Sequence, residues 1–282
     1  MKLYVLNGGR LWTENAFHWH FGTEADTGKE HVAEAFCVRS TQFYIEHPEA
    51  KIIFELGYKT EDFKDFCGFP HRKGPEGFRM KQGPDENPVA QLGKIGVNVD
   101  DIDYVVISHL MSEHAGWLPA FAGKKAQVVV QRKEYEYARR IGTPSSPGEP
   151  ALEQFHSWMY RRKHYEVPGL NFQLIDGDHE LVKDVMILHA PGHTPGYQVM
   201  LVRLPKTGTV VISACEQRGN YYDIPINGNA PGIPHTFTWF AAGELESFKR
   251  MREIVEKEKG QIFYGHDEEQ FKTLKHAPEY YD

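Results

Sequence analysis

Four segments of this chain end an apolar run in a side chain able to bind a metal ion. Tyr104-Val105-Val106-Ile107 leads into Ser108-His109-Leu110-Met111-Ser112-Glu113-His114-Ala115-Gly116, and Val185-Met186-Ile187-Leu188 leads to Pro191-Gly192-His193-Thr194-Pro195-Gly196. Val210-Val211-Ile212 leads to Ser213-Ala214-Cys215-Glu216, and Ile262-Phe263-Tyr264 to Gly265-His266-Asp267. Imidazole, thiolate and carboxylate are the donors that zinc and neighbouring divalent ions take. One such residue on its own is ordinary on a solvated loop. Four runs that read as buried strands, each delivering one, point to a shared site, because ligands in open α/β architectures bind at the carboxyl ends of strands. The expectation is a metal site at one edge of a sheet, with His109, Glu113, His114, His193, Cys215 and His266 as candidate ligands.

The elements that must hold these residues follow from patterning. Met1 to Gly9 reads as a strand followed by a turn, and Phe43-Tyr44-Ile45 with Lys51–Glu55 as a hairpin around His47-Pro48-Glu49-Ala50. From about 63 to 84 the chain is rich in Gly, Pro and aromatics, with Phe63, Phe66, Phe69 and Phe78 spread along it, which predicts a long surface loop. Loops of that length serve as lids or pocket walls about as often as they form a packed insertion. Val89, Leu92 and Ile95, closed by Gly96, predict a short amphipathic helix. Gln127–Val130 reads as a strand, followed by a polar helix from Lys133 to Arg140. Leu245, Phe248, Met251, Ile254 and Val255 share one face of a helix that stops by Gly260. Strands followed by helices favour a sheet sandwich with helices packed outside it.

A length of 282 residues with 40% hydrophobic content supports one large core, and no composition break, repeat or low-complexity segment divides it. Residues 1–282 are therefore expected to form a single domain, with the stretch at about 63–84 as a long loop insertion. The formal charge of −7 argues against a general attraction to nucleic acid or to an anionic membrane. No run of about twenty apolar residues is present to span a bilayer, and the apolar start of the chain is too short for a signal peptide. Cys37, Cys67 and Cys215 are odd in number and show no pairing pattern, so a reducing, cytoplasmic setting is expected.

Ser108 through Gly116 resembles the HxHxDH signature of the metallo-β-lactamase superfamily, with Met111 where that signature has its second His and Glu113 where it has Asp. Across almost the whole chain the order of motifs resembles the N-acyl-homoserine lactonase group of that superfamily. The matching features are Phe54-Glu55-Leu56-Gly57, His109 through Gly116, Val130 through Tyr135, Pro191 through Gly196, Phe263 through Asp267, and Pro278-Glu279-Tyr280. The resemblance implies an α/β fold, the four-layer αβ/βα sandwich of the metallo-β-lactamases, with metals at one edge between two sheets. It also implies a metal-dependent hydrolase of a small cyclic ester or amide.

In that family one metal is held by the HxH pair and the His of the PGH turn, the other by the Asp-His pair and the final His, and an Asp bridges them. Carried onto this chain, His109 and His193 remain for the first site while Met111 replaces its third nitrogen. A thioether is a poor ligand for a borderline divalent ion, so that site is expected to bind weakly or stand empty. Glu113, His114, Cys215 and His266 remain for the second, with Cys215 at the bridging position. Zinc accepts sulfur at about 2.3 Å, against about 2.0–2.2 Å for oxygen. One zinc ion is expected, with iron or a second ion as alternatives. Glu216 is a competing anionic ligand, in which case Cys215 is a small buried strand-end residue, and Met111 can equally fill core space. His18 and His20 alternate within Phe17–Phe21, so one of them can supply a lost ligand if that segment folds over the metal edge; an aromatic wall is the other reading.

The candidate catalytic residues are Glu113, His193, Arg218 and Tyr222. The family's substrate-contacting Tyr, three residues beyond the bridging Asp, is Arg218 here, which leaves Tyr221 or Tyr222 to reach a carbonyl and Arg218 to bind a carboxylate. Arg72, Lys73, Arg79 and Lys81 suit an anionic substrate or are a solvated surface. Trp117 stands where many relatives have a second Gly and is expected to narrow the pocket. The expected partner is a small molecule, aromatic or anionic, with no nucleic acid and no membrane; sequence leaves the oligomeric state unknown. Two other functions stay open, a non-catalytic descendant that keeps a metal for sensing or structure, and an iron–thiolate enzyme with changed chemistry.

Overall fold

Successive residues of the central strands face different apolar layers, and this alternation sorts the chain into helix, sheet, sheet and helix. The computed structural model describes residues 1–14, 35–63, 78–141, 159–216, 234 and 238–282. Strands β1 (Lys2–Glu14), β2 (Ala35–Glu46), β3 (Lys51–Phe54), β4 (Phe78–Lys81), β5 (Tyr104–Val106), β6 (Gln127–Gln131) and β7 (Asn171–Ile175) form one sheet in the order β4-β1-β2-β3-β5-β6-β7. Strands β8 (His179–Val182), β9 (Val185–His189), β10 (Gln198–Leu204), β11 (Gly208–Ser213) and β12 (Gln261–Tyr264) form a second, in the order β12-β11-β10-β9-β8. The α-helices among the described residues are α1 (Pro88–Lys94), α2 (Ser112–Ala115), α3 (Arg132–Ile141), α4 (Arg162–Tyr165), α5 (Ala241–Glu258) and α6 (Glu268–Phe271).

Phe43, Ile45, Ile52, Phe54, Val106 and Val129 from the first sheet meet Ile187, Met200, Val202, Val210, Ile212 and Phe263 from the second. The residues between them in sequence point the other way, as the two-residue period of a strand requires. Tyr44, Ile53, Val105 and Val128 pack under α1, α3 and α4 through Leu92, Ala138 and Tyr165. Leu188, Val199, Leu201, Val211 and Ile262 pack under Phe248 and Met251 of α5. Strands buried on both faces read as continuous apolar runs, which is why β5, β6 and β11 stand out in the sequence. Each fully buried aliphatic side chain stabilises this arrangement by roughly 1.5–3 kcal/mol.

Strands β3, β5, β6 and β7 run parallel, as do β11 and β12. Their carboxyl ends therefore carry the segments that build the site. The site lies at a seam between two sheets, as the family resemblance implies, and not at the edge of one sheet, as the strand pattern alone suggests, because the segments after β9, β11 and β12 belong to the second sheet and the segment after β5 to the first. Gly8 and Gly9 do not end β1 in a turn; they lie at a register shift between Asn7 and Arg10, and the strand continues. Within the expected loop at about 63–84, Phe78–Lys81 is a strand paired with Arg10–Thr13 of β1, and residues 64–77 lie outside the described residues. The left-handed residue that closes α5 is Lys259, with φ of 50°, one position before the expected Gly260. Among the described residues, no helix is long and apolar enough to cross a membrane.

Candidate metal centre

Each candidate ligand lies a few residues beyond a strand of the core. His109 is three residues past β5 and His114 sits in α2; His193 lies between β9 and β10, Cys215 just past β11 and His266 just past β12. A Cβ on Gly265 would lie 1.9 Å from the carbonyl oxygen of Ala214, so only glycine lets the end of β12 close on the end of β11. Backbone bonds from Gly265 to Ser213, 2.7 Å, and from His266 to the Glu216 carbonyl, 3.3 Å, hold the closure and put His266 beside Cys215.

His109, His114, His193, His266 and Cys215 are all buried. Ring centroids are 4.2 Å apart for His109 and His114, 4.8 Å for His109 and His193, and 5.0 Å for His114 and His266. The donor atoms gather in three groups in which every pair lies within 4.8 Å: His109, His193 and Cys215; His114, Cys215 and His266; and His109, Glu113 and His114. The sulfur is common to the first two. Cys215 Sγ is 3.4 Å from His193 Nε2, and a tetrahedral ion with bonds of about 2.0–2.3 Å keeps its ligand atoms about 3.3–3.7 Å apart. Oε2 of the half-buried Glu113 is itself buried and has no hydrogen-bond partner among the described residues. Burial of so many lone-pair donors in one place costs several kcal/mol unless they are satisfied. A divalent cation satisfies this donor set, so the residues fit a metal.

The ring nitrogens are sorted by their outer partners. His114 Nδ1 meets Oε2 of Glu55, His266 Nδ1 donates to the Arg39 carbonyl at 2.8 Å, and His109 Nδ1 pairs with Ser108 Oγ at 2.9 Å. In each case Nε2 is left for the centre, the arrangement that fixes the tautomer of metal-bound imidazoles. Burial opposes a charge on His114, but the facing Glu55 carboxylate and Cys215 outweigh it and raise its pKa well above the ordinary imidazole value. Burial pushes the Glu113 carboxyl up, against the pull of His114.

The structure thus brings together all six residues marked as ligands by the sequence, with one regrouping. Glu113 lies with His109 and His114, and the expected set of Glu113, His114, Cys215 and His266 does not form one four-donor group. Oε2 of Glu216 accepts from Tyr197 Oη at 2.5 Å and from the Ser213 hydroxyl, while Tyr197 Oη accepts the Cys215 amide at 3.0 Å. Met111 is 2% exposed and packs in the apolar cluster with Leu110, Ala115 and Leu118. Trp117 donates Nε1 to the Tyr58 carbonyl at 2.9 Å and lies under Lys59. Arg218, Tyr221, Tyr222, His18, His20, Arg72 and Lys73 fall outside the described residues.

Glu55, Arg39 and Tyr197 act on the candidate ligands and carry no functional assignment from the sequence. For Glu55 a signal existed, a lone acid closing an apolar run in Phe54-Glu55-Leu56-Gly57. For Arg39 none did, because its backbone carbonyl is what His266 uses.

Residues 39–210 match the family model described as the metallo-beta-lactamase superfamily. The chain is 30% identical to the N-acyl homoserine lactonase AiiA of Bacillus thuringiensis subsp. kurstaki, over 99% of this chain and 98% of that one. It is 35% identical to an N-acyl homoserine lactonase of a Bacillus species over the same shares. A solved N-acyl homoserine lactone hydrolase with N-hexanoyl-L-homoserine at its catalytic metal centre superposes with a TM-score of 0.73 at 26% identity, covering 99% of this chain and 98% of that one. The chain belongs to the metallo-β-lactamase superfamily. Its fold is the αβ/βα sandwich of that superfamily, and its class is metal-dependent hydrolase.

Proposed function

We propose that this chain hydrolyses a small cyclic ester, a lactone, at a zinc centre built from His109, His114, His193, His266, Cys215 and Glu113. The observation that carries the reading is the buried meeting of four imidazoles and one thiol from two sheets. Full-length kinship with named lactonases supports the substrate class.

His114, Cys215 and His266 would hold one ion, since three protein donors are the set that catalytic zinc sites use. His109 and His193 share the same sulfur, and Glu113 groups with His109 and not with His193, so a second ion at His109, His193 and Cys215 would have two neutral nitrogens of its own and would bind more weakly. A zinc ion held there would supply Lewis-acid activation of water near neutral pH and of the ester carbonyl. Glu113, whose buried carboxyl holds its proton more readily than an exposed one, is assigned the handling of a proton at its Oε2. His193 orients the sulfur through its 3.4 Å contact. Arg218 and Tyr222 are assigned to the substrate, Arg218 to a carboxylate and Tyr222 to the carbonyl.

Elemental analysis of protein purified without added metal, paired with proton release from a panel of lactones, tests this. About one zinc per chain and lactone-dependent acid release are expected. Stoichiometric iron, or no metal with no hydrolysis, would overturn it.

A further inference from the structure

Glu134, in the first turn of α3, has a carboxylate closed off from solvent and takes no part in the chemistry above. Its Oε1 accepts the Leu110 amide at 2.9 Å and Tyr160 Oη at 2.7 Å, and its Oε2 accepts Thr194 Oγ1 at 2.6 Å. The Gly196 amide adds a further hydrogen bond. Leu110 follows His109 in the chain, and Thr194 follows His193. These two ligand segments hang from different sheets, and Glu134 grips both one residue from the imidazole. The contact is close as well as polar, because a Cβ on Gly196 would lie 2.3 Å from the Glu134 nitrogen. Any larger residue there would push the turn off the start of α3.

We infer that Glu134 is a positioning residue that locks the His109 loop to the His193 turn and so sets the strength of the His109–His193–Cys215 group. The inference rests on the metal-centre reading above. His114 and His266 are held by other partners, Glu55 and the Arg39 carbonyl, so a loss at Glu134 strikes one half of the centre and spares the other. The sheets themselves stay joined without it. Gln198 Nε2 donates to the carbonyls of Ile107 at 2.9 Å and Val129 at 3.1 Å, and the Gln198 amide donates to Ser108 at 3.1 Å. A buried carboxylate with all its lone pairs engaged costs more to disturb than an exposed one gains by pairing, which suits it to fixing geometry.

The test reads each imidazole separately. Metal-free wild type, Thr194→Val and Glu134→Gln, with histidine rings labelled with nitrogen-15, are titrated with zinc and followed by NMR. Thr194→Val keeps shape and removes the hydroxyl bond from the His193 turn to Glu134, leaving the Gly196 amide bond; Glu134→Gln keeps volume and removes the charge. In both, the responses of His109 and His193 are expected to need about 10–100-fold more zinc, the usual effect of losing an outer-shell partner. Those of His114 and His266 are expected to stay within about threefold. Four rings weakened alike, or none weakened, would overturn the inference, as would a wild type in which His109 and His193 never respond while the other two do. A wild type in which no ring responds overturns the metal-centre reading itself, and this inference with it.

Discussion

Oε2 of Glu55 faces Nδ1 of His114, while Oε1 of the same carboxylate accepts the Ser108 amide at 2.6 Å. One side chain therefore sets the tautomer of a candidate ligand and anchors the start of the loop that carries another. Glu55 does so from the left-handed region, with φ of 69°, directly after β3. A non-glycine residue held there costs of order 1–3 kcal/mol, and such strain persists where surrounding bonds over-determine it.

Glu55→Gln is expected to weaken zinc binding by about 10–100-fold with little loss of fold, because the amide fills the same volume but is a weaker acceptor for His114 Nδ1–H, which leaves the ring less firmly oriented and Nε2 less basic. Competition with a chromophoric chelator measures the affinity. An unchanged constant would remove Glu55 from the centre.

The raised pKa of His114 gives a pH dependence of known sign. In the metal-free chain its pairing with Glu55 stabilises the fold fully below the ordinary imidazole pKa of about 6.5, and that contribution fades as pH rises through the raised folded value. Zinc must displace the same proton, so its apparent affinity is expected to climb with pH over that range. Calorimetry in buffers of different ionisation heat reads the protons released; none released at neutral pH would contradict the assignment.

Cys215→Ser removes the donor common to two of the groups. The cobalt-substituted protein is expected to lose its sulfur-to-metal absorption band, and zinc uptake is expected to fall. A band that survives would place the sulfur outside the metal's reach.

Met111→Ala opens a cavity in the core and leaves the donors in place, so it is expected to cost about 2–5 kcal/mol in stability. Zinc stoichiometry is expected to hold. Urea unfolding and metal analysis separate the two effects, and a stable variant with altered metal content would mean that Met111 faces the centre.

Much of this was legible in the sequence, for a physical reason. Strands buried on both faces must be continuously apolar, so β5, β9, β11 and β12 announced themselves, and ligands placed at their carboxyl ends sit where the run breaks. The hairpin of β2 and β3 and the apolar face of α5 were equally plain, since each depends on a local period. Glu134 lies in the Val130–Tyr135 stretch that matches the family, but the local pattern gave it no role. Its helix reads Arg132-Lys133-Glu134-Tyr135-Glu136, and nothing local separates the buried acid from Glu136 beside it.

Which donor residues end which strands is written along the chain, because alternation and burial are properties of neighbours in sequence. Folding in three dimensions set the rest: it put Cys215 in reach of the imidazoles, buried Met111 in the core, and laid Glu113 with His109 and His114. Those choices depend on distances between residues far apart in sequence, and packing sets such distances with no trace in the local pattern.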